Sequence, residues 1–214
     1  MAVLSRSTIL HKLKSRDLMI SPVLSGTQLG HSSVDLRMGT VVLVARAGAQ
    51  SHVEPQVYAL DESTPGSHGS VQGKKQKHER HDVPFHESFL LHPGSLALVP
   101  TLEWVALPFD LQGVVTARSS WAREGLNIAT ATIVNPGYRG IITLELANFG
   151  EIPIRLYPGL RLAQIAFYEL LCFDAEADKN LHQGQFDMAF EPSAGNVAKH
   201  DGPFIPRASK KAST

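Results

Sequence analysis

The sequence predicts a mainly β protein, a sandwich, jelly roll or closed barrel with one short helix near its start. Three observations carry that prediction. Short apolar or alternating runs recur at close spacing from residue 34 onward. Turn signals separate them: His92-Pro93-Gly94, Asn135-Pro136-Gly137, Asn148-Phe149-Gly150 and Tyr157-Pro158-Gly159. No alternation of strand and helix patterns runs along the chain, and no glycine fingerprint of a dinucleotide-binding domain is present.

The first element reads as a helix. Ser5 or Ser7 can cap it, and Ile9, Leu10 and Leu13 share one face over about two turns. Pro22 blocks any continuation beyond Met19-Ile20-Ser21. Residues 34–38 alternate apolar and polar, as a half-buried strand does; Gly39 breaks the run, and residues 40–44 form a second strand candidate. Further candidates are residues 88–91, 95–102, 113–117, 140–147, 152–156 and 161–170. Two regions break this rhythm. Residues 61–84 are rich in Ser, Gly, Lys and His and read as a polar insertion or a lid loop. Residues 191–214 read as a polar, mobile tail behind a single β domain spanning residues 1–190.

Composition narrows the function. The chain has 214 residues, 43% of them hydrophobic and 19% charged, enough for one sizeable β core. A formal net charge of zero gives no global field toward nucleic acid or an acidic membrane. No run reaches the roughly 18 apolar residues of a membrane span, and the first residues lack the apolar stretch of a signal peptide, so a cytoplasmic location is expected. A single cysteine, Cys172, excludes an internal disulfide and a thiolate zinc cluster; beside Leu171 and Phe173 it reads as a core or interface residue.

Three stretches carry candidate chemistry. In Ala117-Arg118-Ser119-Ser120-Trp121-Ala122-Arg123-Glu124-Gly125, two serines flanked by arginines follow a strand. Hydroxyls, free backbone N–H groups and guanidinium forks suit an oxyanion or phosphate, although a capped surface helix with an Arg–Glu pair has the same pattern. In residues 129–140, small residues such as Thr130 and Ala131 precede the turn at Asn135. They let a flat ring approach the backbone, or they pack a tight hairpin. In Thr143-Leu144-Glu145-Leu146, a carboxylate stands in an apolar strand. It is either a buried group with a raised pKa suited to a general base or an outward-facing residue of an alternating strand.

Taken in this order, these stretches resemble the trimeric dCTP deaminase and dUTPase superfamily. The resemblance covers most of the chain, from about residue 4 to 185. It rests on Ser33-Val34-Asp35-Leu36-Arg37-Met38-Gly39, His92-Pro93-Gly94, Arg118-Ser119-Ser120, Asn135-Pro136-Gly137-Tyr138-Arg139-Gly140, Leu144-Glu145-Leu146, and Tyr157-Pro158-Gly159 with Ala163-Gln164. It implies a distorted jelly-roll or barrel-like dUTPase-type fold, and the deaminase branch rather than the plain dUTPase branch. Glu145 stands where the deaminases carry their general base. Asn127 stands after Gly125-Leu126, where the dUTPase branch places a catalytic aspartate shortly afterwards.

The resemblance implies hydrolytic deamination of dCTP to dUTP and ammonia, with no metal at the reacting carbon and Mg²⁺ accompanying the triphosphate. Catalytic roles fall on Glu145, Ser119 and Arg123. Substrate contacts fall on Arg118, Ser120, Thr130, Ala131, Asn135, Tyr138, Gln164, Lys179 and Gln183. It further implies a homotrimer with active sites between subunits, feedback by dTTP, and no nucleic-acid or membrane partner. The other route to cytosine deamination, a zinc-bound hydroxide held by a His-x-Glu and Pro-Cys-x-x-Cys pattern, needs two cysteines. Some positions depart from the family pattern: Asn135 replaces an aspartate, Ala117 a glycine and Asn180 a tyrosine, and residues 127–129 are one position shorter. Asn127 and Asn135 weigh against the alternative of a bifunctional enzyme that continues to dUMP. The intact Arg118, Ser119, Arg123 and Glu145 weigh against a non-catalytic nucleotide-binding module.

Overall fold

A computed structural model of the chain describes residues 2–45, 78–128, 131–171, 186–193 and 195. Contacts divide the chain into one unit of residues 1–44 and 80–193 and another of residues 45–79 and 194–214. The first unit carries the helices and nearly all of the strand residues. The expected roles of Thr130, Cys172, Lys179, Gln183, residues 61–77 and most of the tail fall outside the described residues.

Helix α1 (Arg6–Ser15) begins at Ser5, whose hydroxyl accepts from the Thr8 N–H. The helix buries Ile9 fully and leans Leu10 and Leu13 on the core. Among the described residues the rest is mainly strand: β1 (Met19–Ser21), β2 (Ser33–Arg37), β3 (Val41–Ala45), β4 (His78–Asp82), β5 (Phe89–Leu91), β6 (Leu96–Ala106), β7 (Leu111–Ala117), β8 (Leu126–Ile128), β9 (Ile133–Val134), β10 (Arg139–Asn148), β11 (Ile154–Leu156) and β12 (Arg161–Glu169). A one-turn helix, α2 (Ser119–Arg123), follows β7.

The strands form three sheets. A six-stranded sheet runs β4-β3-β6-β10-β8 with β1 paired to β6; a four-stranded sheet runs β2-β12-β7-β9; and β5 pairs with β11. Alternation along β10 and β12 explains the core. Leu144 and Leu146 of β10, and Leu162, Ile165 and Phe167 of β12, are buried, while Glu145 and Gln164 lie on the other faces. Burying a leucine or phenylalanine contributes on the order of 2 kcal/mol each, so these inward rows set the register.

Eight strand candidates are present, and β6 is four residues longer at its C-terminal end than the expected 95–102. The pattern missed β1, β4, β8 and β9, each at most five residues long. Such pieces are fixed by partners distant in sequence, and local periodicity does not register them. Of the expected polar insertion at 61–84, the residues 78–82 form β4.

Candidate active site

Glu145 lies in the middle of β10, paired with Leu98 of β6 and one residue before the stretch 146–148 that pairs with β8. Its face of the sheet continues through Leu43, which pairs with Leu98, and through Ala147, which lies between Leu96 and Asn127. The carboxylate is half-buried. Burial pushes it above the usual carboxylate range, and a hydrogen bond from the Ala131 backbone pulls the other way. Ala131 itself is exposed. With one donor among the described residues, a half-buried carboxylate keeps acceptor sites for a water or a substrate proton.

A turn of unusual closeness delivers β8 to this place. Gly125 ends α2 at φ +86°, and a side chain there would meet the Gly150 backbone nitrogen at 2.7 Å. The Phe149 N–H then donates to the Gly125 carbonyl at 2.9 Å. Asn148 secures the far end of β10: its buried amide donates to the carbonyls of Leu91 and Ile152, and its side-chain oxygen accepts from the Gly150 N–H.

The Arg-Ser-Ser stretch sits on the other sheet. Arg118 ends β7 and precedes α2; its N–H donates to the Leu162 carbonyl at 3.0 Å, and the Trp121 indole donates to the Arg161 carbonyl at 2.9 Å. These two bonds tie α2 to the start of β12. Ser119, Ser120 and Arg123 lie on the surface, and among the described residues no hydrogen bond or ion pair engages their side chains. Arg118 is engaged: its guanidinium lies 3.4 Å from Asp35 of β2. Gln164 pairs with Asp35 and with Thr116, and its amide oxygen accepts from the Ser33 hydroxyl at 3.0 Å.

Asn135 opens an exposed turn and accepts the Tyr138 N–H through its carbonyl. Gly137, at φ +76°, packs so closely on Phe109 that a side chain there would meet the ring at 2.5 Å. The Tyr138 hydroxyl donates to the Ile141 carbonyl, and burial with the nearby Asp187 charge pushes its pKa up to about 12. That shift keeps the phenol protonated, and its proton is committed to the Ile141 carbonyl. Beyond it, residues 186–193 lie along β10: Met188 N–H donates to the Arg139 carbonyl, Ile141 N–H to the Ala189 carbonyl, and Arg139 N–H to the Asp187 carboxylate. An open cavity of about 440 Å³ lined by Trp104, Phe109, Arg139 and Met188 holds none of the expected site residues.

The expected residues thus form two groups. Glu145 belongs to the six-stranded sheet and takes a hydrogen bond from the Ala131 backbone, which lies just before β9; Arg118, Ser119, Ser120, Arg123 and Gln164 belong to the four-stranded sheet and its turn. Among the described residues no hydrogen bond or ion pair joins Glu145 to Arg118, Ser119 or Arg123.

Sequence reasoning missed a buried polar network beneath this site. Glu103 of β6 is fully buried and accepts from Gln28 Nε2 at 2.8 Å, from Arg37 Nη1 at 3.1 Å and from the Arg37 N–H at 2.8 Å. Where the β6–β10 ladder shifts register, the Thr101 hydroxyl accepts the Ile142 N–H and donates to the Glu103 carbonyl. The sequence offered one signal, a glutamate in the long apolar run 96–106, but it gave no partner. Among the described residues no group of three or more His, Cys, Asp or Glu is placed to hold a metal ion, and no helix is long and apolar enough to cross a membrane.

Known proteins are similar to this chain. A protein-family model described as dCTP deaminase-like matches residues 3–170. A Methanobrevibacter smithii protein named "dCTP deaminase, dUMP-forming" is 36% identical over 168 residues, covering 78% of this chain and 80% of that one. A Halorubrum lacusprofundi protein named "dCTP deaminase" is 38% identical over 170 residues, covering 78% and 77%. The crystal structure of 2'-deoxycytidine 5'-triphosphate deaminase from Agrobacterium tumefaciens superposes with a TM-score of 0.57 at 22% identity, covering 82% of this chain and 49% of that one, about half its length, a likeness of fold. With more than three quarters of its length matched by the family model, the chain belongs to the dCTP deaminase-like family.

Proposed function

We propose that this protein hydrolyses dCTP to dUTP and ammonia with Glu145 as general base. The observation that carries the reading is the half-buried Glu145 carboxylate, raised by burial, held by one backbone donor and set on a strand between apolar neighbours. A carboxylate with a raised pKa takes a proton more readily. Glu145 removes a proton from a bound water, the hydroxide attacks C4 of the cytosine ring, and the ring nitrogen takes up a proton. Glu145 then passes the hydroxyl proton of the tetrahedral carbon to its amino group, which leaves as ammonia as the C4 carbonyl forms, so dCTP and water give dUTP and ammonia. The exposed Ala131 backbone beside the carboxylate reads the pyrimidine edge, with Thr130 and Asn135 as further substrate contacts. Ser119 and Arg123 hold the carboxylate, the water or the substrate in place. Arg118, Ser120, Gln164, Lys179 and Gln183 take the triphosphate, with Mg²⁺ entering as part of the substrate. In this reading no metal acts at the reacting carbon.

Two observations support a shared site. Glu145 and the Arg118–Arg123 group lie on different sheets with no bond between them among the described residues. The Glu145 face also carries an exposed apolar residue at its edge: Leu96, which pairs with Ala147, is 40% exposed. A solvated sheet face is ordinarily polar. A second copy of the chain that brings its own Arg118, Ser119 and Arg123 toward Glu145 is compatible with both, and the resemblance to a trimeric superfamily makes the proposed assembly a homotrimer with sites between subunits. Sedimentation that finds a monomer at micromolar concentration with full turnover overturns this arrangement.

A second reading, continuation to dUMP and diphosphate, draws on the names of relatives. The Methanobrevibacter smithii and Dictyoglomus turgidum proteins are both named dUMP-forming. Asn127 and Asn135 stand against it as the carboxamides where that chemistry calls for carboxylates. The deciding experiment is chromatography of the products formed from dCTP and Mg²⁺. dUTP with ammonia supports the deaminase, and dUMP with diphosphate establishes the bifunctional reading. Bound dCTP without product overturns both in favour of a nucleotide-binding module.

A further inference from the structure

We infer that Asp35 and Arg161 are positioning residues that hold Arg118 for the phosphate chain of the substrate, an inference that rests on the triphosphate role proposed for Arg118. Asp35 is largely buried, and one of its carboxylate oxygens carries two guanidinium groups: Arg118 at 3.4 Å and Arg161 at 3.3 Å. Arg161 is fixed from several sides. It donates to the Thr27 carbonyl at 3.1 Å, to the Thr27 hydroxyl at 2.8 Å and to the Ser25 hydroxyl at 3.3 Å, and its own carbonyl accepts the Trp121 indole N–H. The turn at residues 25–28, strand β2 and helix α2 therefore meet at one arginine.

The charge balance gives this arrangement its function. One carboxylate shared by two guanidinium groups leaves a net positive charge. Arg161 spends its donors on Ser25, Thr27 and Asp35, whereas the only side-chain partner of Arg118 among the described residues is Asp35. The uncommitted donors of the cluster are thus those of Arg118, beside the exposed Ser119 and Ser120. A guanidinium fork held on one edge by a fixed carboxylate presents its other edge to a phosphate with little ordering left to do. Arg161 fixes Asp35, Asp35 aims Arg118, and Arg118 meets the anion.

A binding cycle with inorganic tripolyphosphate tests this without any chemical step. Calorimetry is done on the wild type, Arg118→Ala, Asp35→Asn and the double variant, with melting curves to confirm that each is folded. Loss of one charge-assisted contact weakens binding by about ten- to hundredfold. Asp35→Asn is expected to weaken binding nearly as much as Arg118→Ala, and the double variant no more than Arg118→Ala alone. Arg161→Lys keeps the charge but loses the fork to Ser25 and Thr27; it should weaken binding in the same way and have no effect once Arg118 is alanine. Unchanged or tighter binding in Asp35→Asn overturns the inference, since Asp35 then competes with the anion. Additive losses overturn it as well. In turnover of dCTP, the positioning role appears as a raised KM with a nearly unchanged kcat. Wild-type protein that binds tripolyphosphate with the expected coupling yet releases no dUTP sinks the deaminase reading and leaves this one standing.

Discussion

Glu103 and Glu145 stand on neighbouring strands of one sheet, and burial pushes both carboxyls above the usual range. They differ in what surrounds them. Glu103 is fully buried and accepts three hydrogen bonds, two of them from Arg37. Three of its roughly four acceptor sites are occupied, its counter-charge is adjacent, and nothing reaches it from solvent. Glu145 is half-buried and, among the described residues, takes one backbone bond, from Ala131. A raised pKa alone therefore does not mark a reactive carboxylate. Donor count among the described residues and access do: the more fully bonded, inaccessible group anchors the fold, and the half-buried one keeps capacity for a proton and a ligand.

Exchanging each glutamate for glutamine separates the two roles. Glu145→Gln should lower deamination about 10²- to 10⁴-fold, the usual contribution of a general base. Its stability should stay within about 0.5 kcal/mol of wild type, since an amide relieves a half-buried charge without orphaning a partner. Retained turnover in that variant removes Glu145 from the mechanism. Glu103→Gln should do the reverse. Either orientation of the amide sets an NH₂ group against a donor, and Arg37, itself only 6% exposed, loses its counter-ion. Breaking such a buried pair costs about 3–5 kcal/mol, which lowers the melting temperature on the order of 10 °C for a chain of this size. The fraction that remains folded should turn over dCTP at the wild-type rate. A variant as stable as wild type shows that the network does not hold the sheet together.

The same contrast explains what could be read from the sequence. Glu145 was legible because it interrupts Leu144 and Leu146 in a strand with clear alternation, and because Arg118-Ser119-Ser120 is a short contiguous motif. The β class was legible for the same local reason: turns such as Tyr157-Pro158-Gly159 punctuate apolar runs. The partners were not. Glu103 meets Gln28 and Arg37, 75 and 66 residues away. Arg161 meets Asp35, 126 residues away. Pairings of that range are set by strand order, which alternation does not encode. Strand β8, with three residues, was missed because its place is fixed by the Gly125 turn and by β10.

That turn gives the next test. Gly125→Ala must hold a side chain at φ +86° against the Gly150 backbone at 2.7 Å. Left-handed backbone in a non-glycine residue costs roughly 1–2 kcal/mol before any clash, so a loss of about 2 kcal/mol or more is expected in the urea midpoint. Turnover should fall too, since β8 and the Ala131 segment shift relative to Glu145. An unchanged midpoint means that the chain relaxes around the contact and that the closeness of Gly125 to Gly150 does not set the site.

The smallest effect lies in the pH dependence, and it separates Glu145 from an ordinary surface glutamate. A general base works ionised, and burial holds the Glu145 carboxyl above its ordinary value of about 4.3. As pH falls, kcat/KM should therefore drop earlier than an unperturbed glutamate would dictate. The Ala131 hydrogen bond acts in the opposite sense, so Ala131→Pro, which removes that N–H, should move the acidic limb further up. Stability carries the complementary sign. A folded-state value above the unfolded one makes the contribution of Glu145 fully present below the ordinary glutamate value, and that contribution is lost as pH rises through the raised value. Wild type minus Glu145→Gln, measured by urea unfolding across pH, should fall over that window and level off above it. A flat difference places Glu145 in free solvent and removes the physical reason for choosing it as the base.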